Sequence, residues 1–164
     1  MVALDVEGVL LPEIWIAVAA RTGIEELRRT TRDEPDYDSL MRGRLGLLDR
    51  YGLTLTLITD TIAGLTPLPG AVEFLDELRE RTQVVLLSDT FAEFVRPLMA
   101  QLGWPTILCH NLEIVADRIV GYRLRLPDQK RQAVLAFQAL GYKVIAVSYG
   151  ATLTEAQVGE LLGI

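Results

Sequence analysis

Two carboxylates one residue apart, in Asp5-Val6-Glu7-Gly8, close the apolar run Met1-Val2-Ala3-Leu4. In open α/β sheets ligands bind beyond the carboxyl ends of the strands, so acids at such a place could hold a divalent cation against an anionic substrate. The same residues would equally make an ordinary solvated turn, because Asp, Glu and Gly are common loop formers.

Further along, Ser88 ends a second apolar run, and Thr90 with Glu93 has the spacing of a capping box that opens a helix. A hydroxyl followed at once by a helix N-terminus favours an anion such as phosphate, through free N–H groups and the positive end of the dipole. Capping alone explains Thr90 and Glu93 and leaves Ser88 without a role. Arg44 falls inside the apolar stripe made by Tyr37, Leu40, Met41, Leu47 and Leu48 when residues are spaced at helical intervals. A guanidinium there needs a carboxylate of the chain or a bound anion, unless it snorkels along the stripe to water. Glu13 lies within the apolar stretch 10–20, held inward or starting a helix, and Lys130 sits at the start of the helix read from 133–140. Cys109 and His110 are adjacent, but neighbours on a strand point to opposite faces, so Cys109 reads as core rather than as half of a catalytic pair.

These groups need elements to carry them. Four short apolar runs, 2–5, 84–88, 106–109 and 144–147, read as buried strands. They alternate with segments of helical period: Ala71, Phe74, Leu75 and Leu78; Phe91, Phe94, Val95, Leu98 and Leu102; and Ala133, Ala136, Phe137 and Leu140. Strand followed by helix, repeated, predicts an α/β fold, a doubly wound parallel sheet with helices on both faces. Segment 12–69 has helical but no strand patterning and returns at Pro67-Leu68-Pro69-Gly70, so it is expected to be an inserted helical cap on a core of 1–11 and 70–164. Residues 112–126 alternate with a period of two about a turn at Ala116-Asp117-Arg118, which predicts a β-hairpin.

Composition narrows the function. Of the 164 residues half are hydrophobic and 23% are charged, as in a globular protein with a sizeable core. A net charge of −6 argues against nucleic acid, whose binding requires a basic surface. One cysteine excludes an internal disulfide and suits a reducing cytoplasm. The stretch 14–20 is not expected to act as a secretion signal, because no Lys or Arg precedes it and Asp5, Glu7 and Glu13 interrupt what should be a basic then apolar segment. No apolar run is long enough for a membrane span.

Taken together, three short motifs carry a resemblance: Asp5-Val6-Glu7-Gly8-Val9-Leu10, Leu86-Leu87-Ser88-Asp89-Thr90 and Lys130-Arg131-Gln132. With Pro12-Glu13-Ile14-Trp15-Ile16 and Pro35-Asp36-Tyr37-Asp38, the chain to about Val147 resembles the haloacid dehalogenase superfamily of aspartate-nucleophile phosphatases. Within it, the chain is most similar to the phosphoserine phosphatase branch, of the phosphoserine phosphatase/homoserine phosphotransferase type.

The resemblance implies a HAD-like, Rossmannoid core that dephosphorylates a small phosphorylated amino acid, with water or homoserine as acceptor. Asp5 would be the nucleophile and Glu7 the acid/base. Mg²⁺ would be held by Asp5 and the Glu7 carbonyl, and Ser88, Asp89 and Lys130 would form the phosphate site. Glu13 and Arg44 would take the substrate's amino and carboxylate groups. The family's fourth motif, a Gly-Asp-Ser turn with a further Asp, is replaced here by Ser148-Tyr149-Gly150-Ala151. Loss of those acids implies weaker Mg²⁺ binding unless Glu155 substitutes, and keeps open a phospho-ligand-binding protein or a truncated family member as alternatives. The tail 152–164 stops where the family continues with another strand and helix, which would leave an apolar surface for a homodimer to cover.

Overall fold

A computed structural model of the chain describes residues 1–148; the turn after Ser148 and Glu155 lie outside the described residues. Five strands form one sheet: β1 (Val2–Leu4), β2 (Val84–Phe91), β3 (Ile107–Val115), β4 (Arg118–Arg123) and β5 (Ile145–Val147). Their spatial order is β4-β3-β2-β1-β5, with β1, β2, β3 and β5 parallel and β4 antiparallel to β3.

Period-two alternation explains the two layers. Val2, Leu4 and Leu86 face the large core, whereas Ala3, Val85 and Leu87 face the opposite side. The large core is covered by α1 (Ile14–Thr22), α3 (Leu55–Ala63), α4 (Ala71–Arg81) and α5 (Ala92–Met99). The smaller core is covered by α6 (Gln129–Ala139), through Ala133, Val134 and Phe137. The sheet is thus doubly wound, with helices on both faces.

Between β1 and β2 the chain is helical, with α2 (Tyr37–Tyr51) lying between α1 and α3 and a 3-10 turn at Glu25–Arg28. Val18, Ile58 and Ile62 of this insertion share one continuous apolar cluster with Leu86 and Phe94 of the core. Burying a side chain of that size completely stabilises by about 1.5–3 kcal/mol each, so these residues anchor the inserted helices to the core.

Three expectations need correction. The strand expected at 106–109 and the first arm of the hairpin are one continuous strand, β3, because its Ile107 and Leu108 pair with β2 while Asn111 to Val115 pair with β4. The hairpin turns at Ala116 and Asp117, both at positive φ, the geometry of a two-residue turn matched to strand twist. Thr90 and Glu93 do not form a capping box: β2 continues through Thr90, α5 is capped at Phe91 without a side-chain bond, and Glu93 instead accepts the Leu112 N–H at 3.0 Å. A buried strand amide next to that carboxylate outcompetes the local cap. Helix α6 starts at Gln129, four residues before the apolar period becomes visible, so Lys130 lies in its first turn.

Candidate active site

Register brings the reactive ends together. Leu4 pairs with Leu86 on one side and with Val147 on the other, so Asp5, Ser88 and Ser148 emerge at one edge of the sheet. The Asp5 N–H donates to the Val147 carbonyl at 2.8 Å, and Gly8, at φ 76°, turns the chain so that its N–H returns to the Leu11 carbonyl at 2.7 Å. Glu7, in that turn, shares a cleft with Asp5 and is bonded to the start of α1. A cleft of about 250 Å³ opens there, lined by Asp5, Glu7, Glu13, Arg44, Ser88, Asp89 and Lys130, with Ser148 at its rim. All seven residues singled out in the sequence therefore meet at one place.

Lys130 is the electrostatic hub. Its ammonium lies 2.8 Å from an Asp5 carboxylate oxygen and 3.2 Å from one of Asp89. Burial works against the charge on Lys130, but the two carboxylates outweigh it and hold its pKa above the ordinary value. Burial likewise disfavours the charged form of Asp89, yet the His110 imidazole and Lys130 together bring that carboxyl below its usual range. The Asp89 carboxylate is thus set against Lys130 within the cleft. The other Asp5 oxygen accepts the Val6 N–H at 2.8 Å.

Glu7 is tuned in the opposite direction. Burial, then the adjacent charge of Glu13, push its carboxyl up to about 7, against the opposing bonds from the Ile14 N–H and Thr90. The Ile14 N–H donates to Glu7 at 3.1 Å, which ties the acid to the start of α1. An acid poised near neutrality can give and take a proton at working pH. Glu13, at the N-cap of α1, makes no capping bond with its side chain and faces the cleft.

Arg44 is buried, and the snorkelling alternative fails. Its guanidinium lies 4.6 Å from the centroid of the Trp15 ring and donates to the Arg29 carbonyl at 2.8 Å, while its Nε has no hydrogen-bond partner among the described residues. Burial lowers its pKa to about 10, partly offset by Glu7, Tyr37 and Glu13, so it remains a cation at neutral pH. Ser88 is buried, with its hydroxyl accepting the Thr90 N–H at 3.3 Å and its carbonyl accepting the Gln129 side-chain amide.

Two residues of the site carried no functional weight in the sequence reading. Tyr37 stands in the apolar stripe of α2 and in the shared Pro35-Asp36-Tyr37-Asp38 segment without a role of its own, yet its hydroxyl donates to the Asp89 carbonyl at 2.8 Å. His110 was set aside with Cys109, yet its Nε2 faces an Asp89 oxygen at 3.6 Å. Cys109 itself is buried, and burial pushes its thiol up to about 11, as befits a core residue. Being the only histidine was the one available signal for His110.

Among the described residues no group of three or more His, Cys, Asp or Glu side chains could enclose a metal ion. The Asp5 carboxylate and the Glu7 carbonyl would offer oxygen ligands, which suit a hard cation of the kind that keeps several waters and uses one or two carboxylates plus substrate phosphate. No helix among the described residues is long and apolar enough to cross a membrane.

The haloacid dehalogenase-like hydrolase family matches over residues 1–152. The chain is 62% identical over 163 residues to phosphoserine phosphatase ThrH of Pseudomonas aeruginosa, covering 96% of this chain and 80% of that protein. It is 61% identical over 163 residues to a phosphoserine phosphatase of Pseudomonas syringae pv. tomato, covering 96% of this chain and 69% of that one. Among solved structures, a substrate-bound phosphoserine phosphatase complex shares the fold at TM-score 0.73 with 19% identity, over 99% of this chain and 82% of the other. A phosphoserine phosphatase from T. onnurineus does so at TM-score 0.68 with 24% identity, over 98% and 79%. The chain belongs to the haloacid dehalogenase-like hydrolases.

Proposed function

We propose that this protein removes phosphate from phosphoserine through an aspartyl-phosphate on Asp5. The observation that carries the proposal is that Asp5, Glu7 with its carboxyl near 7, and the Lys130 ammonium share one cleft with the buried cation Arg44. The phosphoserine phosphatase names of two relatives above 60% identity favour the same substrate.

In the first step an Asp5 oxygen attacks phosphorus, the bond to the serine oxygen breaks, and Glu7 delivers its proton to that oxygen. In the second, Glu7 takes a proton from water, the water oxygen attacks phosphorus, and the Asp5–phosphate bond breaks to release inorganic phosphate. Lys130 faces the charge that builds on the phosphoryl oxygens, and the Ser88 hydroxyl, on the neighbouring strand β2, donates to one of them. Arg44 meets the substrate carboxylate and Glu13 its ammonium. Homoserine entering in place of water would make the same intermediate a phosphate donor to an alcohol.

Haloacid dehalogenase phosphatases generally use a divalent metal; here we assign Mg²⁺, held by Asp5 and the backbone carbonyl of Glu7, where it would neutralise phosphate charge. The test is phosphate release from phosphoserine across millimolar Mg²⁺, with and without homoserine, against an Asp5→Asn control. Release no greater than that control overturns the proposal, and phosphoserine binding without release would favour a ligand-binding protein instead.

A further inference from the structure

His110 is the only histidine in the chain, is buried on β3, and takes no part in the reaction as written. Its environment orients the ring from both ends. The Arg125 N–H donates to Nδ1 at 3.1 Å, so Nδ1 is an acceptor and the ring proton belongs on Nε2. Nε2 faces an Asp89 oxygen at 3.6 Å, longer than a hydrogen bond, as polar contacts in ligand-free active sites commonly are. The register pairing of Phe91 with His110 explains the meeting, because Asp89 lies two residues before Phe91 on the adjacent strand. Ring contacts with Tyr37 at 5.9 Å and Phe91 at 6.3 Å keep the imidazole from rotating.

We infer that His110 is a positioning residue for phosphoryl transfer: its Nε2–H holds the Asp89 carboxylate, and Asp89 in turn fixes the Lys130 ammonium beside Asp5. The inference rests on the phosphatase reading above. Without the imidazole donor, the Asp89 side chain keeps, among the described residues, its ion pair with Lys130, so the carboxylate is free to swing with the lysine. A displaced ammonium no longer faces the phosphoryl oxygens, and misplacement of about 1 Å in an active site costs up to about a hundredfold in rate. The competing role is a core histidine whose purpose is to accept the Arg125 N–H.

The two nitrogens can be tested separately. In His110→Gln the amide reaches the place of Nε2 and keeps a donor for Asp89, whereas in His110→Asn it reaches only the place of Nδ1 and keeps a partner for Arg125. The expected result is that His110→Gln retains kcat within about threefold, while His110→Asn falls about tenfold to a hundredfold with KM changed less than about twofold. His110→Asn performing as well as His110→Gln, or better, overturns the inference. Nuclear magnetic resonance of the full chain labelled with ¹⁵N-histidine reports a single imidazole and needs no activity. A ring protonated on Nε2 whose resonance moves in Asp89→Asn supports the contact, and a proton on Nδ1, or no response to Asp89→Asn, overturns it. Wild-type protein that releases no phosphate above Asp5→Asn would sink the phosphatase reading, while the imidazole spectrum would still decide the His110–Asp89 contact.

Discussion

The Tyr37 hydroxyl donates to the backbone carbonyl of Asp89 at 2.8 Å, joining the first residue of α2 to the strand that carries the Lys130 partner. Tyr37→Phe removes this bond alone, since the ring contacts with His110 and Tyr122 remain. The expected cost is about 1 kcal/mol of stability in urea denaturation, with KM for phosphoserine raised about fivefold. A variant indistinguishable from wild type in both measurements would remove Tyr37 from the closure of the cleft.

Glu7 makes the protein's stability depend on pH in a defined window. Its folded carboxyl is raised to about 7 from an ordinary value of 4.5, so the folded state binds this proton more tightly than the unfolded chain. That contribution is fully present below pH 4.5 and is lost as pH rises through 7. Glu7→Gln keeps the neutral form and can still accept the Ile14 N–H. In metal-free buffer at pH 8 it is expected to be more stable than wild type by on the order of 1–3 kcal/mol, the difference closing at acid pH. Chemical denaturation at several pH values checks this, and a gap independent of pH would show that Glu7 is not the titrating group.

Arg44 should read the carboxylate of the substrate and nothing else. Arg44→Ala is expected to raise KM for phosphoserine about tenfold to a hundredfold, the worth of a charged hydrogen bond, while leaving phosphoethanolamine turnover near wild type. Equal losses on both substrates would mean that Arg44 supports the fold through Trp15 and Arg29 rather than selecting the ligand.

Lys130 separates the Asp5 and Asp89 carboxylates with one charge. Lys130→Met leaves both acids facing the phosphate site without their cation, and phosphate release is expected to fall by about a hundredfold or more. Lys130→Arg should rescue little, because a planar guanidinium does not fit between oxygens 2.8 and 3.2 Å from a point charge. Steady-state kinetics of the two variants decide it, and near-normal release by Lys130→Met would remove Lys130 from catalysis.

The hairpin shows how the fold secures this arrangement at a distance from the chemistry. Asp117, at its tip, accepts the Thr56 N–H and hydroxyl, both at 2.9 Å, where α3 begins, and Arg118 reaches Asp49 of α2 at 2.7 Å. Both contacts are exposed, so each contributes little alone. Together with the Tyr122–Asp38 hydrogen bond they tie β4 to the inserted helices from outside.

Much of this was legible in the chain. Apolar periods of two and of helical spacing marked the strands and helices because each face must bury its own side chains, and Asp5-Val6-Glu7, Ser88-Asp89 and Lys130 stood out because strand ends are where a doubly wound sheet opens to ligands. Arg44 was visible as a charge on an apolar stripe. The capping box at Thr90 and Glu93 misled because spacing says nothing of competitors, and the Leu112 amide that claims Glu93 lies 19 residues away. His110 and Tyr37 were illegible as site residues for the same reason: each meets Asp89 only through strand register or helix placement, 21 and 52 residues away in sequence. The sequence by itself determined which groups could do the chemistry, since residue type and local period are written in short windows. Only the tertiary structure decided their protonation and partners, because the burial that lifts Glu7 and the carboxylates that hold Lys130 arise from segments brought together by the sheet.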